Sequence, residues 1–261
     1  MRSAAVRYAL APVYWVYERL LWSSIKKGPM PTSVAVILDG NRRWALSLGL
    51  SPEQGHEAGY EKLKQVLDWM WEIGITEVTV YALSADNAKK RSKQEVDHIL
   101  SLSVKGLQEL ARSSDVAERR VKVRVIGDDT IFPEEVRKAI IEVEKITAGN
   151  DQRLLQIALG YGGRNEILNA MRELARRVQL GEIAPEQIDE RLISTSLYTA
   201  GARDPDLIIR TGGEERMSDF LLWQSSYSEL VFLDVYWPQF RRIDLYRAVR
   251  TYQRRSRRFG A

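Results

Sequence analysis

Residues 34–45 have the sequence VAVILDGNRRWA. The five apolar residues at 34–38 form a continuous run, which predicts a short strand buried on both faces. Asp39, Gly40 and Asn41 follow it as a turn at the carboxyl end of that strand. A strand covered on both sides is typical of a parallel sheet that lies between layers of helices.

The pattern of strand and helix repeats along the rest of the chain. Further strands are predicted at 78–83, 121–126, 154–159, 206–210 and 230–233, and helices at 55–73, 92–110, 133–147, 164–178 and 243–257. This alternation predicts a single α/β domain, in which a central, mostly parallel sheet of about six strands is flanked by helices.

Three polar clusters follow predicted strands: 39–43, 84–91 and 210–218. Ligands of parallel sheets bind at the carboxyl ends of strands, so the clusters are expected on one rim. In the first, Gly40 permits close backbone approach, and Arg42 and Arg43 offer charged donors to phosphate. Asp39 beside a diphosphate implies a bridging Mg2+. The second cluster is a polar, basic loop suited to a closing lid.

The third cluster, RTGGEERMS at 210–218, places two arginines, a Gly-Gly pair and a serine after a strand. These residues make a second cradle for an oxyanion, and they do not match the pattern of a Walker loop. Each cluster alone is also explained by an ordinary turn or hydrophilic connection. Two anion cradles on one rim indicate two phosphorylated substrates.

The composition is that of a soluble globular protein: 261 residues, 44% apolar, 28% charged and a formal net charge of +4. The absence of cysteine excludes a disulfide scaffold, a cysteine nucleophile and a Cys-ligated zinc site, and is compatible with a reducing cytoplasm. No linker or repeat marks a domain boundary after residue 28.

Both ends of the chain leave alternatives open. Residues 1–27 are predicted as an amphipathic, aromatic-rich helix ahead of a domain at 28–261. Its ten-residue uncharged run, 8–17, is too short to span a bilayer. Its tryptophans and tyrosines suit a membrane interface, and packing on the protein's own domain explains them equally well. Eight of the last 21 residues are arginine. They suit anionic lipid, a polyanionic substrate or a solvated helix face better than nucleic acid.

Several longer stretches resemble the cis-prenyltransferase family. They are VAVILDGNRRWA at 34–45, GHEAGYEKL at 55–63, VTVYALSADN at 78–87, RSKQEV at 91–96 and DPDLIIRTGGEERMSDFLLWQSSYSELVF at 204–232. The resemblance implies the fold of undecaprenyl diphosphate synthases. It also implies condensation of isopentenyl diphosphate onto a C15 or C20 allylic primer. The product would be a long-chain polyprenyl diphosphate, the precursor of a glycosyl carrier lipid, made by a homodimer with Mg2+.

The resemblance also implies roles for individual residues. Asp39 corresponds to the catalytic, Mg2+-binding aspartate, Asn87 to the proton acceptor and Glu229 to a second Mg2+ ligand. Arg258 and Gly260 match a C-terminal Arg-x-Gly that reaches the partner's isopentenyl site. The allylic side is assigned Gly40, Asn41, Arg42, Arg43, Trp44 and His56, the loop Ser84, Ala85, Asp86 and Arg91, and the isopentenyl side Arg210, Arg216, Met217 and Ser218.

The chain departs from the family pattern at a few positions. Ala88 stands where an aromatic residue is common, and the step from Asn87 to Arg91 is one residue longer, which leaves that register open. Pro52 replaces an arginine common in bacterial members. Two other functions stay open, an accessory subunit of a heteromeric enzyme and an anion- or lipid-binding protein. The retained Asp39 favours a self-sufficient enzyme.

Overall fold

The computed structural model describes the backbone of residues 4–256 and the side chains of residues 14–255. Within these ranges the strands are β1 Ser33–Ile37, β2 Glu77–Ser84, β3 Val121–Ile126, β4 Arg153–Tyr161, β5 Leu207–Arg210 and β6 Glu229–Phe232. The helices are α1 Ala4–Ile25, α2 Asn41–Ser47, α3 Pro52–Glu72, α4 Ala85–Lys90, α5 Lys93–Arg112, α6 Ser114–Glu118, α7 Glu134–Thr147, α8 Gly163–Gln179, α9 Glu190–Ser196 and α10 Arg242–Ser256.

The six strands form one sheet in the order β3-β4-β2-β1-β5-β6, and every neighbouring pair is parallel. The predicted α/β domain is therefore confirmed, with a sheet that is wholly parallel. The chain leaves β1 towards β2 on one side and leaves β5 towards β6 on the other. Such a reversal opens a crevice at the carboxyl ends of β1 and β5, where Asp39 and Thr211 begin the loops.

Helices cover the sheet on both faces, and its neighbouring strands β1 and β5 are buried on both sides. All five residues of β1 and all four of β5 are buried. One core cluster packs β1, β2 and β5 against α1, α3 and α10, and another packs β3 and β4 against α5 and α7. Trp237 anchors α3 from this core, since its buried Nε1 donates to the carbonyl of Gly59 at 2.8 Å. This contact fixes the half of α3 that faces the rim.

Helix α1 packs on its own domain through one face. Leu21 and Ile25 are buried, Trp22 stacks on Tyr246 with ring centroids 5.5 Å apart, and the side-chain amide of Gln253 donates to the carbonyl of Ile25 at 2.8 Å. This face of α1 therefore packs against the protein's own domain. No helix in the described range 4–256 is both long enough and apolar enough to traverse a bilayer. The division of the chain at residue 28 stays a prediction.

Short helices account for most of the differences from the predicted elements. Residues 85–90, predicted as a loop, form α4 because the Ser84 hydroxyl accepts the backbone N–H of Asn87 at 3.0 Å. The helices α6 and α9 had not been predicted either. Their five and seven residues carry too few apolar positions for a helical period to show.

Candidate active site

A cavity of about 750 Å³ opens at the carboxyl edge of the sheet, between the ends of β1, β2 and β5. The three predicted polar clusters meet there, as expected for one rim. Its walls carry six arginine and lysine side chains against four carboxylates, an excess of positive charge that suits an anionic ligand. Thirteen predicted site residues line it: Asp39, Gly40, Asn41, Arg42, Arg43, His56, Ser84, Asp86, Asn87, Arg91, Arg210, Arg216 and Ser218.

Asp39 lies at the centre of this cavity, directly after β1. Its Oδ1 accepts from Nη2 of Arg43 at 3.0 Å, and its Oδ2 accepts from Nη2 of Arg210 at 2.7 Å. The backbone is held as well, because the Thr211 hydroxyl donates to the Asp39 carbonyl at 2.8 Å. Residues from β1, α2 and β5 therefore fix one carboxylate in a cationic setting.

Arg210 connects the two predicted anion cradles. Its side chain is only 4% exposed, and its Nη1 donates to the Ser218 hydroxyl at 2.7 Å and to the carbonyl of Arg216. The other end of the guanidinium reaches Asp39. Its Nε is buried without a partner among the described residues. The planar fork of arginine makes this double contact possible, and a lysine would not reproduce it.

Two glycines allow these side chains to approach the backbone closely. Gly40 has φ +102°, and a Cβ there would lie 2.6 Å from the Tyr236 ring. Gly212 has φ +88°, and a Cβ there would lie 2.7 Å from Nη2 of Arg43. Both backbones are in the left-handed region, which L side chains rarely adopt. A side chain at Gly212 would press on the Arg43 and Asp39 pair, and one at Gly40 would press on Tyr236.

The Glu95 carboxylate contacts basic side chains from three different segments of the chain. Glu95 is not among the residues that the sequence assigns to the site. Its carboxylate lies 2.9 Å from Nη1 of Arg91, 3.0 Å from Nε2 of His56 and 3.5 Å from Nη1 of Arg42. Burial lowers the pKa of His56 below its usual value, although the Glu95 carboxylate acts against that shift. Only the helix-capping spacing from Ser92 to Glu95 is visible in the sequence, and the Ser92 hydroxyl does accept the Glu95 N–H at 3.3 Å.

Helix α4 contains most of the second polar cluster and determines where its side chains lie. The backbone N–H of Arg91 bonds to the Asn87 carbonyl at 3.0 Å, so residues 87–91 form one helical turn, and their register against the family stays open. Arg91 then points at Glu95 and the cavity, while Asn87 is exposed on α4 and also faces the cavity. A proton-accepting role for Asn87 stays a prediction.

The loop that carries Ser218 is strained and firmly held. Ser218, Asp219 and Leu221 have φ of 51°, 63° and 46°, which costs on the order of 1 kcal/mol or more at each residue. Phe220 compensates by stacking on Tyr81, with ring centroids 4.4 Å apart. The Tyr81 hydroxyl lies 3.3 Å from the Ser218 carbonyl. Tyr81 and Asp219 both line the cavity, and sequence patterns gave no signal for either.

A buried carboxylate supports this loop from behind. Glu166 on α8 accepts from the Tyr161 hydroxyl, from Nε2 of Gln224 at 3.1 Å and from the backbone N–H of Tyr198 at 2.9 Å. Burial raises the pKa of the Glu166 carboxyl, and the donors that surround it act in the opposite direction. Since Gln224 follows the strained segment, Glu166 ties that loop to α8.

A second cavity, of about 360 Å³, runs between the sheet, α3 and α5. Its walls are mostly apolar, with Leu63, Leu67, Trp71, Ile99 and Leu107 among them. Leu38, Asn41, His56 and Ala82 line both cavities, so the apolar space opens directly off the cationic one. An elongated ligand with an anionic head and a hydrocarbon tail matches this pair of cavities.

Some predicted site residues do not line the cationic cavity. Trp44, Ala85, Met217 and Glu229 are absent from its walls, and Met217 packs against a buried core cluster instead. Glu229 pairs with Leu207 at the amino end of β6, roughly 10 Å along the strand from the rim, and accepts from Arg255 at 3.1 Å. One chain thus keeps Asp39 and Glu229 apart. Arg258 and Gly260 lie outside the described residues.

The donor set fits a magnesium ion held jointly with substrate. Among residues 4–256 no group of three or more His, Cys, Asp or Glu side chains could hold a metal by itself. Asp39 is a single, partly exposed carboxylate beside groups suited to phosphate. Mg2+ often binds one or two carboxylates, several waters and substrate phosphate oxygens. The residues therefore fit that mode.

Comparisons with known proteins agree with this geometry. Residues 37–260 match the undecaprenyl diphosphate synthase family model. A tritrans,polycis-undecaprenyl-diphosphate synthase (geranylgeranyl-diphosphate specific) of Methanopyrus kandleri is 48% identical over 98% of this chain and 94% of its own length. An isoprenyl transferase of Thermus thermophilus is 48% identical over 95% of this chain and 96% of its own.

A solved structure shares the fold. Lavandulyl diphosphate synthase from Lavandula x intermedia, in complex with dimethylallyl diphosphate, has a TM-score of 0.81 and 34% identity, and covers 86% of this chain and 95% of its own. The family resemblance seen in the sequence is thus confirmed by the family model, by near relatives and by the fold. The chain belongs to the undecaprenyl diphosphate synthase family of cis-prenyltransferases.

Proposed function

We propose that this chain condenses isopentenyl diphosphate units onto a C20 allylic diphosphate with Mg2+, and releases a long-chain polyprenyl diphosphate. The observation that carries the proposal is the pair of connected cavities, one cationic and one apolar, that share Leu38, Asn41, His56 and Ala82. A growing chain needs both at once, with its diphosphate on the rim and its hydrocarbon between α3 and α5.

The allylic diphosphate is assigned to the side formed by α2. Its backbone N–H groups after Gly40 lack a side-chain cap, and Arg42, Arg43 and Arg91 surround that position. Bound Mg2+ would neutralise charge that develops on the departing diphosphate. Asp39 would hold this ion, and Arg43 would lend further positive charge to the same oxygens.

The isopentenyl diphosphate is assigned to the side formed by Arg210, Arg216 and Ser218. Arg210 would orient its phosphates through the same fork that holds Ser218 and Asp39, so the two substrates would meet over Asp39. Attack of its double bond on the allylic carbon forms one C–C bond and breaks one C–O bond. A proton then leaves the new chain, to Asn87 or through it to a phosphate oxygen.

The C20 primer is preferred to C15 because several relatives of this chain are named as geranylgeranyl-diphosphate specific, among them the enzymes of Methanopyrus kandleri and Sulfolobus acidocaldarius. Their names also support an undecaprenyl product. We further propose a homodimer, in which Arg258 completes the partner's isopentenyl site, and use of the product as a glycosyl carrier lipid precursor. The position of Glu229 at the other end of β6 would require such a second chain for any role on a metal.

The test is incubation of purified protein with labelled isopentenyl diphosphate, Mg2+ and a C10, C15 or C20 primer, followed by sizing of the dephosphorylated products. Asp39→Ala is run in parallel, with Asp151→Ala, a surface carboxylate paired with Arg120 outside both cavities, as its matched control. Long products from C20, none from the Asp39 variant and none without Mg2+ are expected.

Two results would overturn parts of the proposal. No product with any primer, from a folded dimer, would reject a self-sufficient enzyme and favour an accessory subunit. Better use of C15 than C20 would reject the primer assignment alone, because the shared cavities accept either length in principle.

A further inference from the structure

The outward face of α1 carries apolar and basic side chains that the fold leaves uncovered. Trp15 and Leu20 are 55% and 63% exposed, and Val16 lies between them on the same side of the helix. At about 100° per residue these positions share one arc with Arg19, whereas Leu21 and Ile25 point inward. The packed face of α1 thus explains its attachment, whereas the opposite face is exposed among the residues whose side chains the structure describes.

Positive charge surrounds these apolar side chains. Arg19, Lys26 and Lys27 are exposed, and none of them has a carboxylate partner among the described residues. The Arg19 guanidinium lies 3.8 Å from the centre of the Trp15 ring, which holds charge and indole together. On the neighbouring helix α10, the Arg247 guanidinium lies 5.3 Å from the centre of the Tyr17 ring of α1. Interfacial helices combine tryptophan, leucine and basic residues in this way.

We propose that the outer face of α1, formed by Trp15, Val16, Arg19 and Leu20 and continued by Lys26 and Lys27 in the turn after the helix, docks the enzyme on the surface of an anionic lipid bilayer. The basic residues complement the negative charge of such a surface, at which each lysine or arginine contributes attraction. Trp15 and Leu20 insert at the level of the headgroups, where an indole ring is favoured. The described helices do not span the bilayer, so the contact is peripheral.

This inference rests on the proposed function for its purpose, because a polyprenyl diphosphate carries a hydrocarbon tail that a bilayer accepts and water does not. Its evidence is separate, since no residue of the outer face of α1 lines either cavity. Docking and catalysis can therefore fail independently in an experiment.

The experiment is co-sedimentation of the full chain with vesicles of phosphatidylcholine, with and without about 30 mol% phosphatidylglycerol. Wild type should bind the anionic vesicles, and about 0.5 M salt should weaken the binding. Arg19→Glu/Lys26→Glu/Lys27→Glu should reduce partitioning by roughly a hundredfold, since each lost cation contributes about fivefold. Trp15→Ser/Leu20→Ser should reduce it by about tenfold or more.

Two control variants carry the same kinds of change on α8. Leu168→Ser/Met171→Ser removes two exposed apolar side chains, and Arg172→Glu/Arg176→Glu/Arg177→Glu reverses three charges. Both controls should partition within about twofold of wild type, once the lower net charge of the arginine variant is allowed for. Each α1 variant should therefore bind at least about fivefold more weakly than its control. Product formation in vesicle-free buffer should be the same in all four variants, which separates docking from catalysis.

Three outcomes would overturn the inference. They are no binding of wild type to anionic vesicles, binding of the α1 variants equal to that of their controls, and loss of a dimer by the α1 variants in light scattering. The last result would assign the face to a second copy of the chain.

Discussion

At the scale of residues, the buried guanidinium of Arg210 joins the half of the site around Asp39 to the half around Ser218. Arg210 bonds to Asp39 on one side and to Ser218 on the other, and its side chain is almost fully buried. Such a residue fixes the relative positions of Asp39 and Ser218. Preorganisation of this kind places charge where the leaving group develops it.

We therefore expect Arg210→Lys to lower kcat/KM for isopentenyl diphosphate by about 100-fold or more, because an ammonium cannot span both contacts. Steady-state rates at saturating primer measure the effect, and Arg176→Lys, at an exposed pair on α8, is the control. A change below about threefold with the fold intact would refute the bridging role.

His56 should make stability depend on pH. Burial depresses its pKa in the folded protein, so the unfolded chain binds a proton more readily. Its contribution is complete above the unfolded pKa of about 6.5 and declines as pH falls from there through the lower folded value. Denaturant unfolding at several pH values should show wild type losing up to about 1.4 kcal/mol per pH unit more than His56→Gln in that range. Parallel curves would show that Glu95 cancels the effect of burial.

At the scale of elements, most long segments were predictable and the short ones were not. The apolar run at 34–38 locates β1 to within a few residues, because a strand buried on both faces is apolar at successive positions. The helical periods of α5 and α8 locate those helices equally well, because each helix is buried on one face. Helix α4 has no buried residue, so its sequence carries no apolar period, and Ser84 defines it instead. Glu95 was missed for a related reason, since a long-range ion cluster leaves only a helix-capping pattern in the sequence.

The loop at 217–221 should depend on its support from α8. Glu166→Gln puts an amide N–H₂ against a ring of donors, Tyr161, Gln224 and the Tyr198 N–H, so at least one bond is lost. We expect KM for isopentenyl diphosphate to rise roughly five- to tenfold, with KM for the primer unchanged. Glu166→Asp, which keeps the charge, should recover part of the loss. Equal effects on both substrates would indicate general destabilisation instead.

The apolar cavity between α3 and α5 should limit product length. Ser103 on α5 lines it, and Ser101 on the same helix faces solvent. Ser103→Trp fills part of a 360 Å³ space, so shorter products are expected, with the rate of the first condensation changed by about twofold or less. Ser101→Trp is the matched control, and sizing of the products measures both. Identical product lengths would place the growing chain elsewhere.

At the scale of the whole molecule, the strand order brings together site residues that are far apart in the sequence, so the full site could be recognised only in the structure. The strand order brings β1 and β5 side by side although about 170 residues separate Asp39 from Arg210, and the turn at Asp39 anticipates only the rim. The resemblance names thirteen residues that line the cavity at this rim, and their roles stay predictions. It gives no side-chain orientation, and Trp44, Ala85 and Met217, which it also names, do not line that cavity. Glu229, also named by the resemblance, lies at the amino end of β6, away from this rim.

A mixing experiment tests whether the functional unit contains two chains. Asp39→Ala lacks the residue at the centre of its own site, and Arg258→Ala lacks the residue proposed to enter the partner's site. In a mixed dimer, one site receives Asp39 from one chain and Arg258 from the other, and the second site receives neither. Random pairing of equal amounts gives half mixed dimers, each with one intact site, so about a quarter of wild-type activity should return.

Each variant alone should be nearly inactive, and the regained activity should appear only after the chains have exchanged partners through mild denaturation or co-expression. A mixture of Asp39→Ala with Arg210→Lys is the control, because both residues act within one chain on the same Oδ2 contact. In that mixed dimer one site lacks Asp39 and the other lacks Arg210, so no intact site forms. Failure of the first mixture to exceed the second would mean that Arg258 serves its own chain or none, and the proposed exchange between subunits would be wrong.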